Sequence, residues 1–206
     1  MINMTKIKIC GLTRIEDIEA VNIALPDYIG FVFVEGRKRT VSSESALSLK
    51  KCLNKKIKAV GVFLDNDIKY IEKICNNDII DIVQLHGSED EEYISKLKSR
   101  VDIPVIKAVS VKSGEDILSA QNLSADYLLF DTYKKGIIGG TGESFDWKMI
   151  PKIDKPFFLA GGLNEDNIDE ALKYGAYALD VSSGAETDGK KDLKKIINIV
   201  RKVRGD

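Results

Sequence analysis

The sequence predicts an α/β fold, a closed (β/α)8 barrel of parallel strands, on three observations. Apolar, β-branched runs recur along the chain, with starts roughly 20 to 30 residues apart, the size of one β-α unit. The runs are continuous rather than alternating, as in strands covered on both faces. Between them the apolar spacing shifts to the 3.6-residue period of helices. A doubly wound open sheet would share these features. The barrel is favoured because about eight near-equal units fill the 206 residues without leftover chain.

In chain order the expected strands are 6–10, 28–33, 57–63, 80–85, 103–108, 126–131, 157–160 and 176–181. Helical faces lie between them: Ile18, Val21 and Leu25; Ala46, Leu49 and Leu53; Ile68, Ile71 and Cys75; Ile168, Ala171 and Leu172. The last helix carries Leu193, Ile196, Ile197 and Val200 at i, i+3, i+4 and i+7. Helix starts are expected at Thr13, with Glu16 three residues on, and at Ser43, Asn66 and Asn164. The sixth unit is irregular, a glycine-rich loop over 136–144 followed by a short helix near 146–150. Charges over 190–195 read as the start and solvated face of the last helix. Without a linker or composition break, one barrel domain spanning 1–206 is expected.

Bulk properties narrow the function. The chain is 44 % hydrophobic and 31 % charged, with a net charge of −1. That balance gives no reason to expect a nucleic acid or an anionic membrane as partner. Neither a bilayer-spanning run nor the apolar stretch of a signal peptide is seen, so a cytoplasmic location is expected. The cysteines, Cys10, Cys52 and Cys75, form no C-x-x-C pair, which suits a reducing compartment, and no metal site is expected. Cys52 and Cys75 fall on apolar helix faces and read as packing. The single histidine, His86, leaves a Ser-His-Asp triad dependent on one residue.

In such a barrel the C-terminal strand ends converge on one mouth. The residues expected there are Cys10, the loop Glu35-Gly36-Arg37-Lys38-Arg39, Asp65, Gln84 with His86, Lys107, Asp131, Gly161-Gly162, and Asp180 with Ser182-Ser183-Gly184. Glycines in the loops after strands seven and eight would let backbone N–H groups approach a phosphate; tight turns without a ligand are the alternative. Cys10 could be a base, a nucleophile or a small buried hydrophobe, and its place before a glycine turn favours chemistry. Asp131 ends an apolar strand, where an unpaired carboxylate is costly to bury; a turn cap is the alternative. Arg39 could grip a carboxylate through two parallel hydrogen bonds or be a solvated charge. His86 could be catalytic or a satisfied structural residue.

Taken together, these stretches resemble the phosphoribosylanthranilate isomerase family of tryptophan biosynthesis over essentially the whole chain. The resemblance rests on Lys8-Ile9-Cys10-Gly11-Leu12-Thr13, Gly30-Phe31-Val32-Phe33, Arg39-Thr40-Val41-Ser42, Gly61-Val62-Phe63, Val83-Gln84-Leu85-His86-Gly87, Asp131-Thr132, Gly139-Gly140-Thr141-Gly142 with Phe145-Asp146-Trp147, Ala160-Gly161-Gly162-Leu163-Asn164, and Asp180-Val181-Ser182-Ser183-Gly184. Each motif alone is weak, but their order, one per unit, is highly specific.

The resemblance implies a TIM barrel of the ribulose-phosphate-binding type. It also implies an aldose-ketose isomerase that needs no cofactor. The reaction would be the Amadori rearrangement of N-(5-phosphoribosyl)anthranilate to 1-(2-carboxyphenylamino)-1-deoxyribulose 5-phosphate. By motif position Cys10 is the general base and Asp131 the general acid. Arg39 holds the anthranilate carboxylate, and Gly161, Gly162, Ser182, Ser183 and Gly184 bind the phosphate. Gln84, His86, Lys107 and Asp180 would line the site, and 136–142 would be the mobile loop. The residues before Arg39 depart from the family pattern, which leaves the roles of Arg37 and Lys38 open. A monomer or a homodimer is compatible with the resemblance.

Two other readings are set beside it. A histidine-pathway aminoaldose isomerase would call for Asp at position 10 and two phosphate cradles. A non-catalytic sugar-phosphate-binding barrel would need neither Cys10 nor Asp131.

Overall fold

The computed structural model describes residues 5–132 and 145–205. Eight parallel strands close into a barrel: β1 (Lys6–Cys10), β2 (Tyr28–Val32), β3 (Lys58–Phe63), β4 (Ile82–Leu85), β5 (Val105–Val111), β6 (Tyr127–Thr132), β7 (Phe157–Leu159) and β8 (Ala178–Val181). Closure is by β1 against β8, where Lys8 pairs with Asp180 and Ile9 with Val181. The outer layer comprises α1 (Ile15–Ala24), α2 (Ser43–Cys52), α3 (Ile68–Asn76), α4 (Glu91–Lys98), α5 (Gly114–Ala120), α6 (Ile168–Ala171) and α7 (Leu193–Arg204). A 3-10 turn at Trp147–Met149 stands in the sixth unit. The expected mobile loop over 136–142, with its Gly139–Gly142 motif, lies outside the described residues. Among the described residues, no helix is long and apolar enough to cross a membrane.

Strand side chains alternate between two apolar compartments, as period two requires. One compartment lies between strands and helices and includes Ile7, Ile9, Phe31, Phe63, Leu85, Phe130 and Leu159. The other fills the barrel with Tyr28, Val60, Ile82, Ile106, Leu129, Phe158 and Ala178. Rings of Tyr28, Tyr127, Phe158 and Tyr177 pack together at the N-terminal end of the strands, and the Tyr28 and Tyr177 hydroxyls lie 2.9 Å apart. That plug closes the bottom and leaves the C-terminal ends for chemistry.

Local details differ from expectation for physical reasons. Helix α1 starts one residue later than Thr13, because the Asp17 carboxylate, rather than Glu16, takes the N–H groups of Thr13 and Arg14. Ser42, not Ser43, caps α2, and Asp67, not Asn66, caps α3. Asn164 accepts from the Asp166 N–H in the turn before α6. On α7 the buried stripe is Ile196, Ile199, Val200 and Val203, while Leu193 is exposed. Cys52 is exposed rather than packed, and Cys75 is half-buried beside the buried Ile74. Residues 190–195 are not all helix. Glu186–Thr187 (β9) and Lys190–Lys191 (β10) form a hairpin, and α7 begins after it.

Candidate active site

At the C-terminal mouth lies a cavity of about 610 Å³. The strand register explains which side chains reach it. On β1 the inward positions are Lys8 and Cys10, and on β6 they are Leu129 and Asp131. Gln84 and His86 share one parity, so both line the cavity. Going round the ring, β6 brings Asp131, and the next loop brings Gly161 and Gly162. The loop after β8 brings Ser182 and Ser183, β1 brings Cys10, and the loop after β2 brings Arg39. Asp180 also lines the cavity.

Several expected residues stand elsewhere. Lys107 has the opposite parity to the inward-facing Ile106 and Ala108, and it is not among the lining residues. Its ammonium is buried against Gly87 O at 2.6 Å and Glu89 Oε2 at 2.7 Å. Gly184 is not a lining residue either. A Cβ there would stand 2.0 Å from Leu163 O, so this glycine allows the loops after β7 and β8 to touch. Asp65 likewise faces away, accepting from the Ser88 N–H at 2.6 Å.

Cys10 is opposite Gly30 in the β1–β2 register, and a Cβ at position 30 would lie 2.5 Å from its Sγ. The glycine makes room for the thiol. Burial pushes the Cys10 thiol above its ordinary value, opposed by the neighbouring Lys8 ammonium. Lys8 is fully buried, with Nζ 2.7 Å from Asp180 Oδ2. Burial alone would lower the Lys8 pKa, but Asp180 and Cys10 outweigh it and raise it. Among the described residues, Asp180 Oδ1 has no hydrogen-bond partner.

On β6, Asp131 Oδ1 accepts the Thr132 N–H at 2.8 Å. Its Oδ2 faces His86 Nε2 at 3.4 Å. Gln84 Nε2 lies 3.1 Å from His86 Nδ1, on the side of the imidazole away from Asp131. Gly161, at φ +86°, passes close to this carboxylate; a Cβ there would lie 2.3 Å from Thr132 Oγ1 and 3.1 Å from Asp131 Oδ1. The side chains of Asn164 and Asn167 both donate to Gly162 O, which fixes the loop after β7.

Arg39 crosses the mouth to the hairpin. Its Nε and Nη2 donate to the two oxygens of Glu186, at 2.6 and 2.8 Å. Lys191 Nζ donates to Glu186 Oε1 at 2.7 Å and to Ser182 O at 3.0 Å. Burial pushes the Glu186 carboxyl up, but hydrogen bonds from Arg39 and Lys191 prevail and hold it at about 2. Burial lowers the Lys191 pKa. The stem of Arg39 lies over the β1 turn, where a Cβ on Gly11 would come within 2.3 Å of Arg39 Cδ.

Lys8, Glu186 and Lys191 were absent from the sequence expectation, although each left a signal. Lys8 is two residues before Cys10 and shares its face. Asp188-Gly189 is a two-residue hairpin signature; here both have positive φ, 50° and 74°, as a type I′ turn demands.

Comparison with known proteins adds four findings. Residues 7–202 match the family model for N-(5'phosphoribosyl)anthranilate (PRA) isomerase. A curated N-(5'-phosphoribosyl)anthranilate isomerase of Endomicrobium trichonymphae is 52 % identical over 202 residues, covering 98 % of this chain and 99 % of that protein. The crystal structure of the Thermotoga maritima phosphoribosyl anthranilate isomerase superposes with a TM-score of 0.87 at 33 % identity, covering 98 % of this chain and 100 % of that one. A further isomerase structure, in complex with reduced 1-(o-carboxyphenylamino)-1-deoxyribulose 5-phosphate, superposes at 0.83 with 32 % identity, covering 98 % and 100 %. With the barrel, the register and these matches in agreement, the chain belongs to the N-(5'-phosphoribosyl)anthranilate isomerase family.

Proposed function

We propose that this chain performs the Amadori rearrangement of N-(5-phosphoribosyl)anthranilate with Cys10 as general base and Asp131 as general acid. The arrangement around the mouth supports this reading. The glycine and serine loops lie between the strands bearing acid and base, and Arg39 stands beyond Cys10. A substrate with phosphate at one end and carboxylate at the other fits that order, and its sugar then lies between Asp131 and Cys10. Two anchors convert binding into orientation.

The protonated Asp131 gives its proton to the furanose ring oxygen. The bond from C1 to that oxygen breaks, leaving an iminium at C1. The Cys10 thiolate removes the C2 proton, and the C–H electron pair neutralises the iminium, giving an enaminol. The Cys10 thiol returns a proton to C1 while the Asp131 carboxylate takes the C2 hydroxyl proton, which restores both groups and yields the aminoketose. The substrate's own nitrogen acidifies the C2 proton, so the reaction asks for two proton-transfer groups. A passive sugar-phosphate binder would need neither. Cys10 also stands where the histidine-pathway reading calls for Asp.

The test is loss of anthranilate fluorescence, with substrate formed in place by a transferase. Cys10→Ala and Asp131→Ala should each lower kcat by about 10²–10⁴-fold, the usual worth of a positioned acid or base. Arg39→Ala should chiefly raise KM. Near wild-type turnover in either of the first two variants overturns the assigned role.

A further inference from the structure

The pairing of Arg39 with Glu186 leaves a specific part of the guanidinium for a ligand. Glu186 takes the side-on edge, Nε and Nη2, through both carboxylate oxygens. The end-on edge, Nη1 with the second Nη2 hydrogen, has no other hydrogen-bond acceptor among the described residues. A guanidinium is planar, so fixing one edge fixes the direction of the other. Glu186 is itself anchored by Lys191, which also holds Ser182 O in the loop after β8.

Charge agrees with this geometry. Glu186 stays ionised, so the Arg39, Glu186 and Lys191 group carries one net positive charge. An arriving carboxylate would neutralise it. Side-chain exposure of 21 % for Arg39 and 7 % for Glu186 leaves little water to screen the exchange.

We propose that Glu186, braced by Lys191, is a positioning residue that aims the end-on edge of Arg39 at the aromatic carboxylate of the substrate. This rests on the reading of Arg39 as carboxylate clamp and adds the device that orients it. The hairpin thereby ties the carboxylate end of the site to the loop at its phosphate end. Glu186 does not touch the reacting atoms. It sets which substrates are gripped, favouring an ortho-carboxylated aniline over a plain one.

Two ligands separate the possibilities: the reduced product analogue carrying the carboxylate, and the same compound with hydrogen in its place. Titration calorimetry gives the ratio of their dissociation constants. Arg39→Ala should collapse that ratio. Glu186→Gln keeps the shape but loses the charge and one of two parallel acceptors. It should cut the ratio by roughly tenfold, as expected for a charge-assisted pair, without changing affinity for the decarboxylated compound. Lys191→Met, which leaves the Arg39 pair in place, should cut it less and supplies a second variant if Glu186→Gln folds poorly. An unchanged ratio in folded Glu186→Gln, with collapse in Arg39→Ala, overturns the positioning role and leaves the clamp standing. An unchanged ratio in Arg39→Ala overturns both. Tighter binding of the carboxylated ligand by Glu186→Gln overturns the proposal by showing Glu186 to be a competitor.

Discussion

Lys8 Nζ lies 2.7 Å from Asp180 Oδ2 inside the barrel, and the two residues are register partners across the β1–β8 seam. Replacing such a pair with apolar residues is often neutral or stabilising, so stability alone is a weak reason for it to be here. Its second neighbour explains it better. The Lys8 ammonium opposes the effect of burial on the Cys10 thiol, and Asp180 keeps that ammonium charged.

A pH profile tests this. The Cys10 thiol sits above its ordinary value, with burial the leading cause. Its thiolate therefore forms only as pH rises, and kcat/KM should climb into the alkaline range. Lys8→Met removes the opposing charge, so the climb should move to higher pH and the near-neutral rate should fall. The pH dependence of alkylation at Cys10 reads the same group without turnover. A profile that stays in place would detach Lys8 from the proposed base, Cys10.

Gly11 offers a test of how Arg39 is seated. At φ +84° it is in the left-handed region, and an added Cβ would stand 2.3 Å from Arg39 Cδ. Gly11→Ala should cost about 1–2 kcal/mol in backbone strain and also push Arg39 aside. Gly36 is the control: its φ is +72°, yet a Cβ there meets nothing within 4 Å. Both variants should lose thermal stability, but only Gly11→Ala should raise KM. Equal KM values would show that the close approach has no part in binding.

Most of this was legible in the sequence because the barrel converts strand position into place at the mouth. Cys10, Gln84, His86, Asp131 and Asp180 were found that way, as were the two loops. Lys107 shows the limit. The expected strand ends just after it, but β5 runs on to Val111, and one step of a period-two pattern turns Lys107 outward to Glu89. Lys8 and Asp180 are 172 residues apart, and nothing local states that a lysine in an apolar run has a partner. By their charges residues 190–195 read as the start and solvated face of the last helix, yet 190–191 belong to the hairpin. Lys191 is in fact buried, and its contacts with Glu186 and Ser182 O make that tolerable.

Glu186 also makes a thermodynamic prediction independent of turnover. Against the effect of burial, Arg39 and Lys191 hold its folded-state carboxyl at about 2, below the ordinary 4.5. Between those values the unfolded chain binds a proton at this position that the folded chain does not. Acid therefore favours unfolding there. The contribution is complete above about 4.5 and is lost as pH falls towards about 2. Glu186→Gln has no such group. Its stability should lie below wild type near neutral pH, and the gap should narrow as pH falls through that window. Urea midpoints of the two proteins, at near-neutral pH and midway through the window, give the gap at each. Other carboxylates titrate in both proteins and cancel in the difference. A gap that stays constant into acid would mean that the Glu186 carboxylate gains nothing from Arg39 and Lys191, and that the pair is held by packing instead.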